Sequence, residues 1–249
     1  MAGHSHWAGI KHKKGRVDKQ RSKIFSKLSK EITVAAKLGS KYPSMNSRLR
    51  SAIQSARSSN MPKENIERAI NKSEINKNIN YTTLVYEGFG PEKVAIIVEA
   101  LTDNKNRTVT NIRKIFQKFG GSLGASGTVS HQFNQRGIIR IDKKKISNND
   151  ILELAINSGA EDCSSESLCH QIITTKENFN KVKLNIEKKI KDFISSGIEW
   201  MPINKVSLDE EKTKSVLNFL TMLEDDDDVQ HVYANLEIDN PKLEKALTA

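Results

Sequence analysis

Residues 81–102 read YTTLVYEGFGPEKVAIIVEALT, and this stretch decides the fold class. Two runs rich in β-branched and aromatic residues, YTTLVYE and KVAIIVEALT, flank GFGPE. Runs of that composition around a Gly/Pro turn predict an antiparallel hairpin. Thr102 or Asp103 then stands where it can cap a helix over about 105–119, with Val109, Ile112, Phe116 and Phe119 on its apolar face and Gly120-Gly121 at its end. Strands 128–133 (TVSHQF) and 137–141 (GIIRI) follow, then a helix over 148–158 closed by Gly159 and strand 169–175 (CHQIITT). A long helix is predicted over 178–195 from Phe179, Val182, Ile186, Ile190 and Phe193. Strand 198–206 precedes a helix over 208–224, with Ser207 and Glu210 as its capping box, and strand 229–236 closes the series. No long βαβ series appears, which argues against a Rossmann sheet. The pattern predicts an α+β chain with two small sandwiches of antiparallel sheet and helices on one side.

Upstream, the pattern is helical. Ile24, Leu28, Ile32 and Ala35 recur at helical spacing over 22–38, with Lys23, Lys27, Lys30 and Lys37 roughly opposite and Gly39 as the stop. A second helix over 47–59 carries Leu49, Ala52, Ile53 and Ala56 on one face and Arg50 and Arg57 on another. Pro62 opens a third over 62–72 with Ile66, Ala69 and Ile70. Three short amphipathic helices can share one small core. SEINKNIN (73–80) reads as a linker.

Charge separates these two regions. The chain of 249 residues has a formal net charge of +10. Residues 1–80 hold 18 Lys/Arg against 5 Asp/Glu, whereas residues 81–249 hold 22 against 25. A located excess of cations is the footprint of a polyanion-binding surface. The first residues, MAGHSHWAGIKHKKGRVDKQ, mix that charge with glycines and with the rings of His4, His6, Trp7 and His12. Cations meet phosphates, rings stack on bases, and glycines let the chain conform. Lys11, Lys13, Lys14, Arg16, Lys19, Arg21, Lys23 and Lys27 are the candidate phosphate contacts, with Arg50 and Arg57 on the second helix. In TDNKNRT (102–108), Lys105 and Arg107 stand at a helix start, where they either touch phosphate or merely flank a capped turn. Glu224 to Asp228 form an acidic run, read as a solvated turn or as a surface that meets a partner or the basic arm.

Other chemistries lack support. Cys163 and Cys169 make no disulfide framework and fit no zinc spacing. His4, His6 and His12 sit among cations without a carboxylate nearby, so no metal site is expected. SLGASG (122–127) opens no helix and lacks a following Lys, unlike a phosphate-binding P-loop. No nucleophile elbow or cofactor motif occurs, so no catalytic residue and no cofactor are expected. Without an 18-residue apolar window or an apolar leader, a cytoplasmic protein is expected, with no membrane partner.

Ten ordered motifs point to one family: MAGHS-W (1–7), IKH-K (10–14), KIFSKL (23–28), EITVAAKLG (31–39), NMPKENIERAI (60–70), YEGFGP (86–91), VEALTDNKNRT (98–108), FGGSLGASGTV (119–129), GAEDC (159–163) and LEDDDDVQHVYAN (223–235). Across essentially its whole length the chain resembles the YebC/PmpR family, which includes bacterial proteins labelled transcriptional regulators and the mitochondrial translational activator of cytochrome oxidase. The resemblance implies a three-domain crescent in which the second domain is interrupted by the third. The expected domains are 1–80 (basic arm and three helices), 81–134 plus 205–249 (discontinuous α+β) and 135–204 (inserted α+β). It also implies nucleic-acid contact without catalysis. The expectation is a non-enzymatic nucleic-acid-binding regulator of gene expression with no small-molecule substrate. Its expected role is a ribosome-associated translation factor with rRNA or tRNA as partner; the alternative is a DNA-binding transcriptional regulator.

Overall fold

The computed structural model describes residues 17–75, 81–165 and 169–237. The fold is α+β, with seven α-helices and antiparallel four-stranded sheets among the described residues. The described residues within 1–27, 78–134 and 200–249 form one compact unit, and those within 28–77 and 135–199 form a second.

Helices α1 (Val17–Leu38), α2 (Ser47–Ser58) and α3 (Lys63–Ile75) come first. Ile32 and Ala35 of α1, Leu49, Ala52, Ile53 and Ala56 of α2, and Ile66 and Ala69 of α3 are buried, as their spacing predicts. One side chain joins α1 to α2. Asn46 caps α2 by accepting from the Leu49 N–H at 3.0 Å, while its Nδ2 donates to the carbonyls of Ala35 (2.8 Å) and Ser40 (2.7 Å). It thus satisfies an orphan N–H at the start of α2 and adds a second donor to the Ala35 carbonyl, which also accepts the Gly39 N–H at the end of α1. The amide fits because residue 39 is Gly: a Cβ there would stand 2.7 Å from Asn46 Nδ2.

In the first unit, β1 (Thr82–Phe89) and β2 (Ala95–Thr102) pair antiparallel, with Thr82 opposite Thr102 and Phe89 opposite Ala95. The turn between them is a short 3-10 segment, Pro91–Lys93, with Glu92 and Lys93 in left-handed backbone at φ 57° and 58°. β3 (Ser122–Leu123) adds beside β1 and β9 (Val229–Ala234) beside β2, giving the order β3-β1-β2-β9. Helices α4 (Lys105–Lys118) and α7 (Glu210–Glu224) cover one face. Ile112 and Phe116 of α4 and Val216, Phe219, Leu220 and Leu223 of α7 pack with Ile96 and Val98. Phe116 and Phe219 meet edge to face with centroids 5.0 Å apart. Ala95 and Ile97 point the other way, into a cluster with Val129, Phe133 and Tyr233. Strand β2 is therefore buried on both faces, which explains its unbroken apolar run. A two-stranded parallel pair, β8 (Val206–Ser207) with β10 (Leu236–Glu237), lies beyond.

The second sheet has the order β5-β6-β4-β7, from β4 (Phe133–Asp142), β5 (Asp162–Ser165), β6 (Cys169–Thr175) and β7 (Ser195–Pro202). Helices α5 (Asn148–Ser158) and α6 (Phe179–Glu187) pack on it through Ile151, Leu154, Val182 and Ile186 against Ile139, Ile141 and Ile172.

Several sequence expectations change. Residues 128–132 do not form a strand; of the expected run only Phe133 is extended, as the first residue of β4. Ser130–Gln132 are a 3-10 turn, because the buried Glu87 carboxylate accepts the N–H groups of Gly127, Val129 and Ser130 at 2.8 to 2.9 Å. The helix expected over 178–195 ends at Glu187, and Ile190 and Phe193 reach the same core from the following loop. The cap of α7 is Asp209, which accepts from the Lys212 N–H, since Ser207 is held in β8 with its hydroxyl donating to Glu237.

Candidate nucleic-acid interface

His4, His6, Trp7, Lys11, His12, Lys13, Lys14 and Arg16 lie outside the described residues, as does the side chain of Lys19. The described part of the basic stretch begins at the exposed Arg21, whose guanidinium stands 5.3 Å from the centroid of the Phe25 ring. Lys23 and Lys27 follow on the same helix and share one destination. Lys23 Nζ pairs with the Asp225 carboxylate at 2.9 Å, and Lys27 Nζ donates to the Glu224 carbonyl at 2.6 Å. The acidic run is thus the surface on which these lysines rest, one of the alternatives that the sequence left open.

The run is also a built turn. It starts at the C-terminus of α7, where cations are favoured by the helix dipole and by free carbonyls. Asp226 accepts from the Asp228 N–H (2.9 Å) and from Asn111 Nδ2 (3.2 Å). The Asp228 side chain is 5% exposed. Its Oδ2 accepts from Thr108 Oγ1 (2.9 Å), Thr102 Oγ1 (3.2 Å), Arg107 Nε (3.1 Å) and Arg107 Nη2 (2.8 Å). Arg107 also reaches Asp103 at 2.9 Å. These carboxylates hold the guanidinium more firmly protonated than usual, through hydrogen bonds to Asp228 first and Asp103 second. The N-cap of α4 is Asn104 rather than the expected Thr102 or Asp103: its side chain accepts from the Arg107 N–H at 3.1 Å, while the Thr102 hydroxyl is drawn back to receive the Asn104 N–H. TDNKNRT and LEDDDDV therefore form one substructure. Arg107 faces inward to it, whereas Lys105 is exposed at the first residue of α4.

Arg50 and Arg57 belong to the second unit. Arg50 Nη1 donates to the carbonyl of Pro43 at 3.1 Å, tying the α1–α2 loop to α2, and Arg57 is exposed. Both line a groove of about 710 Å³ with Gln54, Lys145 and Lys191. Lys145 and Lys191 carry no motif and were not among the sequence candidates. Averaging charge over 81–249 hides them, because the same span holds the acidic turn.

Among the described residues no helix is long and apolar enough to cross a membrane.

Comparison with known proteins agrees with the folded pattern. The family description "TACO1/YebC protein N-terminal domain" matches residues 5–76, and "TACO1/YebC second and third domain" matches residues 81–236. A protein of Pelagibacter ubique (strain HTCC1062) named "Probable transcriptional regulatory protein SAR11_0592" is 61% identical over 240 residues, 96% of this chain and 100% of that protein. The crystal structure of a conserved hypothetical protein, Aq1575, from Aquifex aeolicus superposes with a TM-score of 0.86 at 47% identity, covering 96% of this chain and 99% of that one. Matched by both family descriptions over most of its length, the chain belongs to the TACO1/YebC family.

Proposed function

We propose that this protein is a non-enzymatic, nucleic-acid-binding regulator of gene expression that works in the cytoplasm on ribosomal or transfer RNA. The observation that carries the reading is the concentration of charge: 18 Lys/Arg against 5 Asp/Glu in residues 1–80, beside a remainder holding 22 against 25. Electrostatic attraction then directs phosphate to one region of the molecule. Lys11, Lys13, Lys14 and Arg16 supply affinity, and Trp7 and the nearby histidines stack or hydrogen-bond. Rings beside cations suit folded RNA with unstacked bases better than duplex grooves.

A second reading, DNA-bound transcriptional regulation, is favoured by the name of the Pelagibacter relative. Helices α2 and α3 are joined by a short turn with Asn60 at φ 56°, compatible with groove entry but without a distinctive base-reading set. Crosslinking in cells followed by sequencing of the bound nucleic acid separates the two. Reads on rRNA and tRNA support the ribosomal role; discrete promoter reads overturn it in favour of DNA.

A further inference from the structure

The turn between β4 and α5 holds three consecutive lysines, residues 143–145, and the loop after α6 holds Lys188, Lys189 and Lys191. Lys145 Nζ joins the two loops through Asp192, at 3.2 Å to its carboxylate and 3.3 Å to its carbonyl. Helix α2 is fixed to the second loop as well. Gln54 Nε2 donates to the Lys191 carbonyl at 3.0 Å, and Ser58 Oγ donates to the Phe193 carbonyl at 2.6 Å. The arginines of α2 and the two lysine loops are thus parts of one surface within the second unit.

That surface is concave. Lys145 is shared by two adjoining hollows of about 610 and 710 Å³, the first reaching Lys144 and Lys189 and the second Lys191, Arg50 and Arg57. Carboxylates line it too, but most are engaged. Asp142 accepts the Lys144 N–H (2.9 Å), Asp150 accepts from Ser147 Oγ (2.7 Å), and Glu187 lies 3.8 Å from the buried Lys183. Asp192 pairs with Lys145 in an exposed bridge, the kind that contributes little and that a phosphate can replace. Tyr42, 59% exposed, precedes Pro43 at the rim of the second hollow. A cationic track with an exposed ring at its edge has the chemistry of a single-stranded nucleic-acid path.

We propose that Lys144, Lys145, Lys189, Lys191, Arg50 and Arg57 form a second phosphate-contacting surface that holds the backbone of a single-stranded RNA segment. It rests on the nucleic-acid reading above, and it deepens that reading by adding a contact surface beyond the N-terminal segment.

The test is binding of a fluorescein-labelled oligouridylate to the full chain as a function of salt. The parent is compared with Lys144→Gln/Lys189→Gln and with Lys11→Ala/Lys13→Ala/Lys14→Ala/Arg16→Ala. Both lysines of the first variant are exposed, so its thermal midpoint should match the parent. Two lost contacts lower the salt slope by about 1.4 and weaken binding roughly 25-fold at 0.1 M salt, from about 0.7 per single-strand contact. Tyr42→Ala weakens binding at every salt concentration without changing the slope. If the Gln pair keeps the parent slope and affinity while the Ala set loses both, the second surface is refuted and the functional reading stands. If neither variant differs from the parent, both fail. Should the Gln pair lower the midpoint, Lys144→Arg/Lys189→Arg must restore slope and affinity; failure to restore them overturns the proposal.

Discussion

Asp228→Asn isolates the lock between the two acidic and polar motifs of the first unit. On Oδ2 the buried carboxylate accepts two hydrogen bonds from Arg107 and one each from Thr102 and Thr108, and on Oδ1 it accepts another from Arg107 Nη2 at 3.0 Å. An Asn side chain keeps one acceptor and turns an amide toward the guanidinium, so donor faces donor. Breaking a buried pair from one side typically costs about 3–5 kcal/mol. Arg107 is 48% exposed and can turn to water or keep Asp103, so the cost here should fall to about 2–3 kcal/mol. For a chain of this size about 1 kcal/mol moves the midpoint by roughly 2–4 °C. Thermal denaturation followed by circular dichroism should therefore show a drop of about 4–12 °C. Arg107→Ala should lower the midpoint less, since it leaves the threonines on Asp228, and the double variant should show less than the sum of the two. Salt-dependent nucleic-acid binding should keep its slope in Arg107→Ala. A midpoint within 2 °C of the parent for Asp228→Asn, or additive losses in the cycle, would refute the lock.

Glu87→Gln should destabilise the first unit and soften its acid unfolding. Burial pushes the Glu87 carboxyl up, but the N–H groups of Gly127, Val129 and Ser130 outweigh it and hold the group below its ordinary value. Its contribution is therefore fully present above the ordinary carboxylate range and is lost as pH falls through the lower folded value, which a pH series of urea midpoints reads. Lys183 is buried against Ser51 at 2.8 Å, and burial pulls its ammonium below the usual lysine range. Stability of the second unit should rise as pH climbs from that lowered value toward the ordinary one, and Lys183→Met should remove the rise in the same assay. Gly39→Ala should cost about 1–3 kcal/mol in urea unfolding, because the new methyl overlaps the Asn46 amide and forces it off the carbonyls that it serves.

The sequence revealed those parts of the fold in which local pattern and final packing agree. The hairpin over 82–102, the helices α2, α4 and α5, and the stop at Gly159 in left-handed backbone at φ 86° all follow from neighbours in the chain. Elements set by distant partners were hidden. Residues 128–133 have a strand's composition, yet a carboxylate more than forty residues upstream gathers the N–H groups of Val129 and Ser130 and turns the chain before Phe133. Ile190 and Phe193 keep helical spacing after the helix has ended, because a loop buries them in the same core. At the candidate interface the cationic residues were legible but their engagements were not. Lys23, Lys27 and Arg107 look alike in sequence, and only folding brings all three to the acidic turn. The lysines at 143–145, 189 and 191 carry no motif, and the net charge of residues 81–249 is slightly negative, so the sequence alone does not single them out.

The most direct measurement of the central claim is the slope of log affinity against log salt for rRNA or tRNA fragments, taken for the full chain and for Lys11→Ala/Lys13→Ala/Lys14→Ala/Arg16→Ala. Four lost contacts should flatten the slope by about 2.8 on single-stranded segments, or about 3.6 on duplex DNA. An unchanged slope, with the variant folded, would contradict the assignment of phosphate binding to the N-terminal basic region.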